Sequence, residues 1–196
     1  MRISSMQFDF SDSSFEASAV TLPPWLIAEL RSDHAGETGA VFIYKGILAV
    51  SRCENIQNFA LRHLETEQKH LQRFDAILEP RVKSRLLPLW RLAGFLTGAI
   101  PAIFGAQAVY HTIESVEAFV ETHYQQQIER LKADEIVSSP SLVEIKRILK
   151  ECQEDEIEHL EESRAKLSDK IGFVTRCWGH MVGFGSSAAV RIVRLI

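Results

Sequence analysis

The tetrapeptide EQKH at Glu67–His70 has a counterpart of the same pattern, EIEH, at Glu156–His159. One further glutamate lies upstream of each tetrapeptide, Glu37 before the first and Glu117 before the second. Residues three apart on an α-helix point in nearly the same direction, so the Glu and His of each tetrapeptide can bind one pair of ions. This order is typical of a two-metal carboxylate site in a four-helix bundle. The sequence therefore predicts an all-α bundle with these metal ligands: Glu37, Glu67, His70, Glu117, Glu156 and His159.

Each of the four glutamates lies in the middle of an apolar stripe of helical period rather than on a polar face. Around Glu67, for example, the stripe holds Leu64, Leu71 and Phe74. A buried, unpaired carboxylate costs several kcal/mol, so four in one core require cations, and two divalent ions would balance their charge. The alternative is that the glutamates lie at the stripe edges and reach water, while the histidines are hydrogen-bonded in the core.

Four other acidic residues lie close to these positions. Glu114 and Glu121 are within one turn of Glu117 and compete for its role, but their place to one side of the stripe favours Glu117. Asp33 and Asp155 lie beside ligand positions. A cap or a surface role is the favoured interpretation of both. The alternative is that one of them orients a ligand histidine through its second ring nitrogen.

Length, charge and cysteine usage limit the class of protein. A chain of 196 residues can bury the core of one domain, which we place at 21–196. A net charge of −4 without a basic block makes nucleic acid a poor partner. The three cysteines show no CxxC spacing and are interpreted as reduced thiols. Residues 1–20 have neither the apolar core of a secretory signal nor an Arg-rich amphipathic pattern, and we expect a loose tail.

Helical patterns account for the chain from residue 21, and no segment is a convincing strand. Proline in a first turn and serine before Pro140 indicate where helices begin. The predicted bundle helices cover about 21–53, 55–79, 101–134 and 140–168, and one or two further helices fill 171–196.

A hydrophobic insertion at about 86–113 separates the second and third predicted helices. From Leu92 to Ile113 there is no Asp, Glu, Lys or Arg, a length that could span a bilayer. Glycines and Pro101 interrupt it, and its end must stay with the bundle if Glu117 is to reach the metals. We therefore predict a membrane-interface segment, with Trp90 at the headgroup level and basic residues flanking it. The alternative is a core hairpin with an oligomer interface.

Further motifs resemble one family. The segment DHAGETGA at Asp33–Ala40 resembles the DHAGExGA signature of the demethoxyubiquinone hydroxylases of ubiquinone biosynthesis. The resemblance runs from about Arg31 to the C-terminus and includes both tetrapeptides. Its other motifs are LPLW at Leu87–Trp90, the glycines Gly94 and Gly98, Val116-Glu117, His123-Tyr124 with Gln127, and Asp155 before the second tetrapeptide.

The resemblance implies a ferritin-like, membrane-peripheral di-iron monooxygenase with two Fe ions per chain and the six ligands given above. Such an enzyme hydroxylates the ring of a polyprenylated methoxy-benzoquinol with O2 and two electrons. The resemblance also implies that His123 and Tyr124 lie near the metals and the substrate. Carboxylate-rich ligands suit iron better than zinc. The implied location is the cytoplasmic face of a bacterial cell membrane, and further candidate partners are other ubiquinone-biosynthesis proteins or a second copy of the chain.

Two other classes of function fit parts of the pattern. A ferroxidase or a rubrerythrin-like, peroxide-handling bundle shares the ligand order but has no use for the hydrophobic insertion. A metal-free helical adaptor that docks on membranes would use the insertion without the ligands. The prenyl length, the electron donor and the oligomeric state stay open.

Overall fold

Six helices make up the computed structural model, which describes residues 22–133, 139–168 and 172–195. No strand occurs in these three ranges, so the all-α prediction is confirmed. The predicted tail at 1–20 lies outside the described residues. The helices are α1 (Pro24–Val50), α2 (Glu54–Ile77), α3 (Leu87–Phe104), α4 (Ala106–Ala133), α5 (Pro140–Ala165) and α6 (Phe173–Leu195).

Local sequence explains several helix ends. Pro24, Pro88 and Pro140 each lie in a first turn, where the missing N–H is not needed. Ser139 caps α5, because its side chain accepts a hydrogen bond from the backbone N–H of Leu142. The starts at Pro24 and Pro140 agree with the sequence prediction, whereas the helix that begins at Leu87 was not predicted.

The start of the third bundle helix was predicted wrongly. It was placed near Pro101, but this proline lies inside α3, and α4 begins at Ala106. The break falls at Gly105, whose φ of 97° is in the left-handed region that glycine adopts without strain. The insertion is thus a complete helix, α3, and α6 is the one helix described after the bundle.

The bundle helices α1, α2, α4 and α5 enclose two apolar clusters, one toward each end. The first gathers the N-terminal part of α1 and the C-terminal part of α2, with Leu26 and Phe74 among its members. The second holds Tyr44, Phe59 and Ile113. The predicted ligand residues lie between these clusters along each helix. The remaining helices, α3 and α6, both pack against α1 and α4.

Close backbone contact joins α3 to α1. A Cβ added to Gly94 would lie 2.3 Å from the carbonyl oxygen of Gly39, and one added to Gly98 would lie 1.9 Å from that of Ile43. Only glycine allows such an approach. The first of these contacts brings the start of α3 to the level of Glu37 on α1.

Most of the exposed large apolar side chains among the described residues lie on α3 and α6, together with a few exposed basic residues such as Arg91 and Arg191. By length and composition α3 is the one described helix that could cross a membrane, a test that core helices of soluble proteins also pass. Because α3 packs against α1 on one side, its opposite face is exposed to solvent in the structure. The exposed large apolar side chains on the two helices are Leu89, Leu92, Leu96, Ile103, Phe104, Phe173, Val174, Met181, Phe184, Ile192 and Leu195.

We expect Gly98→Ala to destabilise the protein by about 1–3 kcal/mol, because the new methyl group meets backbone that cannot rotate away. Thermal unfolding measures the effect. Gly39→Ala is the matched control, since a Cβ there meets no atom within 4 Å although the residue belongs to the same helix crossing. Equal melting temperatures for the two variants would contradict the close α1–α3 contact.

Candidate metal centre and adjoining cavity

All six predicted ligand residues are buried and come together in one layer of the bundle. They form two groups in which one ligand atom from each residue lies within 4.8 Å of the others. Glu67 and Glu156 belong to both groups. The groups are Glu37, Glu67, His70 and Glu156, and Glu67, Glu117, Glu156 and His159. Two shared carboxylates between two sites is the arrangement of a bridged ion pair.

The histidine atoms that face the carboxylates lack ordinary hydrogen bonds. His70 Nδ1 lies 3.2 Å from Glu156 Oε1 and 3.7 Å from Glu37 Oε2. His159 Nδ1 lies 3.1 Å from Glu67 Oε1 and 3.3 Å from Glu156 Oε2. Both nitrogens, both oxygens of Glu67 and one oxygen each of Glu37 and Glu156 are buried without a hydrogen-bond partner. Buried polar atoms rarely lack a hydrogen-bond partner, and these nitrogen and oxygen atoms lie close to one another within the two ligand groups.

Outer partners hold the ligand side chains in place. Asp155 Oδ2 lies 2.9 Å from His70 Nε2, so this ring donates from Nε2 and leaves the Nδ1 lone pair facing the carboxylates. Asp155 thus takes the alternative role, although its side chain is also 43% exposed. The cap or surface interpretation of Asp33 was wrong, because Asp33 is buried. Tyr44 donates to Glu117 Oε1 at 3.0 Å, and Tyr124 donates to Glu37 Oε1.

His63 is a buried neighbour of the site that the sequence analysis did not single out. Its ring stacks on His159 with 3.9 Å between centroids, and its two nitrogens contact Tyr44 Oη at 3.1 Å and Glu162 Oε2 at 2.8 Å. Burial lowers its pKa to about 4, so the ring is neutral near pH 7. Its position one turn before Glu67 on the same apolar stripe was a signal available in the sequence.

The two competitors of Glu117 have other partners. Glu114 contacts His111 and Arg164, and Glu121 lies near Thr122. Neither is part of the two ligand groups found among the described residues. The choice of Glu117 over its neighbours agrees with this placement.

Crowded carboxylates and imidazoles shift each other's pKa strongly in the absence of metal. Burial raises the pKa of Glu67 to about 8, and the Glu156 carboxylate adds to the rise. Burial alone would raise the pKa of Glu156, but His159 and His70 lower it to about 2. Burial opposes protonation of His159, yet the neighbouring carboxylates of Glu156 and Glu67 raise its pKa to about 11. The metal-free site therefore holds protons where divalent ions would otherwise sit.

A cavity of about 370 Å³ adjoins this layer. The four clustered glutamates line it, and mostly small or apolar residues of α1, α3, α4 and α6 form the rest of the wall. His123 and Tyr124 also lie on the wall, and their predicted nearness to a substrate stays a prediction. Trp90 is half-buried and lines the cavity, so its ring is not wholly at the outer face where the sequence analysis placed it.

Comparison with known proteins identifies the family. A family model described as ubiquinone biosynthesis protein COQ7 matches residues 25–193, which is most of the chain. The chain belongs to this family.

Two relatives with assigned names illustrate the family. A protein of Rhodospirillum rubrum named 3-demethoxyubiquinol 3-hydroxylase is 38% identical over 133 residues, which is 66% of this chain and 59% of that protein. A protein of Rattus norvegicus named NADPH-dependent 3-demethoxyubiquinone 3-hydroxylase, mitochondrial, is 30% identical over 166 residues, 82% of this chain and 73% of that protein. The chain thus spans less than two thirds of the bacterial relative, and the family contains proteins of bacterial and mitochondrial origin.

The metal-free form of this protein should be less stable at pH 8 than at pH 6. The pKa of Glu67 rises from 4.5 to about 8 on folding, so its contribution is complete below pH 4.5 and lost as the pH rises through 8. The pKa of His159 rises from 6.5 to about 11, so its contribution is also lost upward from pH 6.5. Glu156 acts in the opposite direction but only below pH 4.5.

Each proton held more tightly by the folded state changes stability by about 1.4 kcal/mol per pH unit. Melting temperatures of chelator-treated protein at the two pH values test this, and metal-loaded protein serves as the control with a smaller change. A melting temperature of the metal-free protein that increases from pH 6 to pH 8 would contradict the proton-filled site.

Proposed function

We propose that this protein is a di-iron monooxygenase that hydroxylates the ring of a polyprenylated methoxy-benzoquinol with O2 in ubiquinone biosynthesis. The observation that carries the proposal is the layer of six buried ligand side chains, with unpartnered atoms facing one another, at the wall of an apolar cavity. Membership of the COQ7 family and the names of its relatives supply the reaction and the substrate class.

The residues fit a pair of iron ions. Four carboxylates and two imidazoles offer mostly oxygen ligands, which suits iron better than zinc. Two divalent ions would balance four carboxylates that otherwise take up protons, and would give the unpartnered nitrogens and oxygens their missing contacts. When bound, two ferrous ions supply electrons to O2 and activate it. Glu67 and Glu156 belong to both ligand groups and would serve both ions, and the other four residues would each serve one ion.

The protein holds these ligands and limits access of water. Asp155 fixes the orientation of His70, while Tyr44 and Tyr124 donate hydrogen bonds to the outer glutamates. The wall of the cavity is mostly apolar, so a reactive oxygen species formed there would meet few water molecules. These groups position and protect, whereas the metals supply the oxidation.

The cavity accommodates the ring of the substrate but not a long tail. Its volume is near the lower end of the range for small-molecule pockets, about 300–1,000 Å³. Residues of α3 and α6 form part of its wall, and the outer faces of both helices are apolar. We propose that the polyprenyl tail leaves the cavity toward this face, which rests on the membrane. The bacterial cytoplasmic membrane, the electron donor and protein partners stay predictions.

The direct test is a product analysis. Purified, iron-loaded and reduced protein is incubated with a demethoxyquinol and O2, and we expect a product heavier by one oxygen atom on the ring. Oxidation of iron without any change of the quinol would favour a ferroxidase instead. Protein that retains no iron when prepared with ferrous ion would favour the metal-free adaptor.

Glu67→Ala and Glu156→Ala should each lose most of the bound iron and the hydroxylation activity, because each removes a carboxylate shared by both ions. Metal analysis per chain gives the result. Glu65→Ala and Glu158→Ala are matched controls, since each lies two positions away on the exposed side of the same helix. Iron loss of similar size in all four variants would disprove the ligand assignment.

Replacement of Leu89, Leu92 and Leu96 by Ser should release the protein from liposomes by at least about tenfold. These side chains are exposed on α3, and burial in lipid contributes about 25 cal/mol per Å². Co-sedimentation measures the effect. Leu61→Ser with Val143→Ser is the control, because these exposed residues lie on other helices.

Iron content should not change in the α3 variant, as none of its three residues is a ligand or lines the cavity. If the variant bound liposomes as well as the unchanged protein does, the proposed membrane face would be wrong. Resistance of the unchanged protein to alkaline extraction would show that α3 crosses the bilayer instead.

A further inference from the structure

A second set of unpartnered polar atoms lies on the cavity wall, outside the layer of the six predicted ligand residues. Asp33 and Ser32 on α1 are almost completely buried, and both line the cavity. Asp33 Oδ2 and Ser32 Oγ have no hydrogen-bond partner, nor does Nε1 of Trp90 across the wall on α3. Buried polar atoms without partners in a largely apolar cavity indicate a ligand that supplies the missing contacts.

The two oxygens of Asp33 have different surroundings. Oδ1 accepts a hydrogen bond from Gln127 Nε2 at 2.7 Å and lies 3.1 Å from His123 Nε2. Both contacts come from α4 and hold the carboxylate in a fixed orientation. Oδ2 is left without a donor.

A wider charged network surrounds this carboxylate. Arg194 donates to Glu29 at 2.9 Å and lies 3.4 Å from His123 Nδ1, so the far side of the histidine faces a cation. Burial raises the pKa of Asp33, and Glu29 adds to the rise, while His123 and Gln127 lower it. A hydroxyl group that donates to Oδ2 would favour the ionised carboxylate.

We propose that Asp33 accepts a hydrogen bond from a ring hydroxyl of the substrate and thereby selects the reduced quinol over the quinone. The inference rests on the proposed function, because it names the group that recognises the substrate in that site. A quinol presents O–H donors, whereas a quinone presents only acceptors, which would face the Asp33 carboxylate unfavourably. Trp90 and Ser32 offer donors to other oxygen atoms on the ring.

The position of Asp33 suits this role. It lies one turn before Glu37 on α1, so its side chain is close to the metal layer without belonging to it. A ring held there would be beside the carboxylate cluster that lines the same cavity. Asp33 is a specificity-determining residue in this proposal and carries no part of the oxidation.

Asp33→Asn tests the proposal, because an amide oxygen can still accept from Gln127 while the amide nitrogen replaces the free acceptor with a donor. Dissociation constants of a short-chain demethoxyquinol and of its quinone are measured by tryptophan fluorescence. Iron-loaded, reduced protein is used under anaerobic conditions, and the redox state of each ligand is verified by absorbance. We expect quinol binding to weaken by about tenfold, the equivalent of one hydrogen bond, and quinone binding to stay equal or strengthen.

Glu29→Gln is the matched control. It changes a carboxylate to an amide in the same network but at a residue that does not line the cavity, so the quinol-to-quinone preference should persist. Equal weakening of both ligands in Asp33→Asn would overturn the proposal, and so would loss of iron, which would show that Asp33 supports the metal site instead.

A second measurement does not depend on the variant. A demethoxyquinol whose ring hydroxyls are methylated cannot donate, so unchanged protein should bind it about tenfold more weakly than the quinol. Equal binding of the two would also overturn the proposal. Failure of the proposed function looks different, since unchanged protein would then neither bind nor hydroxylate the demethoxyquinol.

Discussion

Mutual repulsion of buried carboxylates is the constraint on which the whole arrangement depends. Glu37, Glu67, Glu117 and Glu156 share one layer of the bundle, where water cannot screen their charge. Positive charge must enter that layer, either as protons or as metal ions. The high pKa of Glu67 and of His159 in the metal-free site shows the first solution. Metal ions bound at these ligand groups would be the second solution, and folding would then be coupled to metal loading.

The helices outside the bundle, α3 and α6, leave the cavity open beside the carboxylate layer. Large side chains on the inner faces of these helices would have filled the space beside α1 and α4 that now forms the cavity. Instead α3 approaches α1 through Gly94 and Gly98, and α6 presents small residues such as Gly185 and Ala189 to the cavity. Apart from the carboxylates and the polar groups near Asp33, the wall of the space that remains is mostly apolar, and the same two helices carry exposed apolar side chains on the outside. An apolar substrate could therefore move between a membrane and the layer of ligand residues along apolar side chains.

Helical periodicity was sufficient to predict the bundle and the six clustered residues, because a stripe position determines burial. It did not reveal which residues would meet across helices. Asp155 reaches His70 from α5 to α2, and His63 stacks on His159 between the same helices, contacts that depend on packing. The α3–α4 boundary was missed because Pro101 was interpreted as a helix start, whereas backbone conformation at Gly105 makes the turn. Trp90 was expected at the headgroup level from its neighbours in sequence; the structure shows its side chain half-buried on the cavity wall, and its place relative to a membrane stays a prediction.

The buried polar groups of the cavity fall into two sets. One set would be satisfied by metal ions, and the other, at Asp33, by a hydrogen-bond donor on the substrate. Glutamates with tyrosine donors and histidines facing carboxylates need cations, because their free atoms are acceptors gathered at common points. Asp33 lies one turn away, has no free atom in that cluster, and keeps one oxygen unpartnered on the cavity wall. A metal ion bound at Asp33 would find no second carboxylate within the ligand groups, whereas a hydroxyl donor needs only one oxygen. In the proposed function the same stretch of α1 would provide Glu37 to the metals and Asp33 to the ring. Two acidic residues one helical turn apart would then be buried together without sharing a cation.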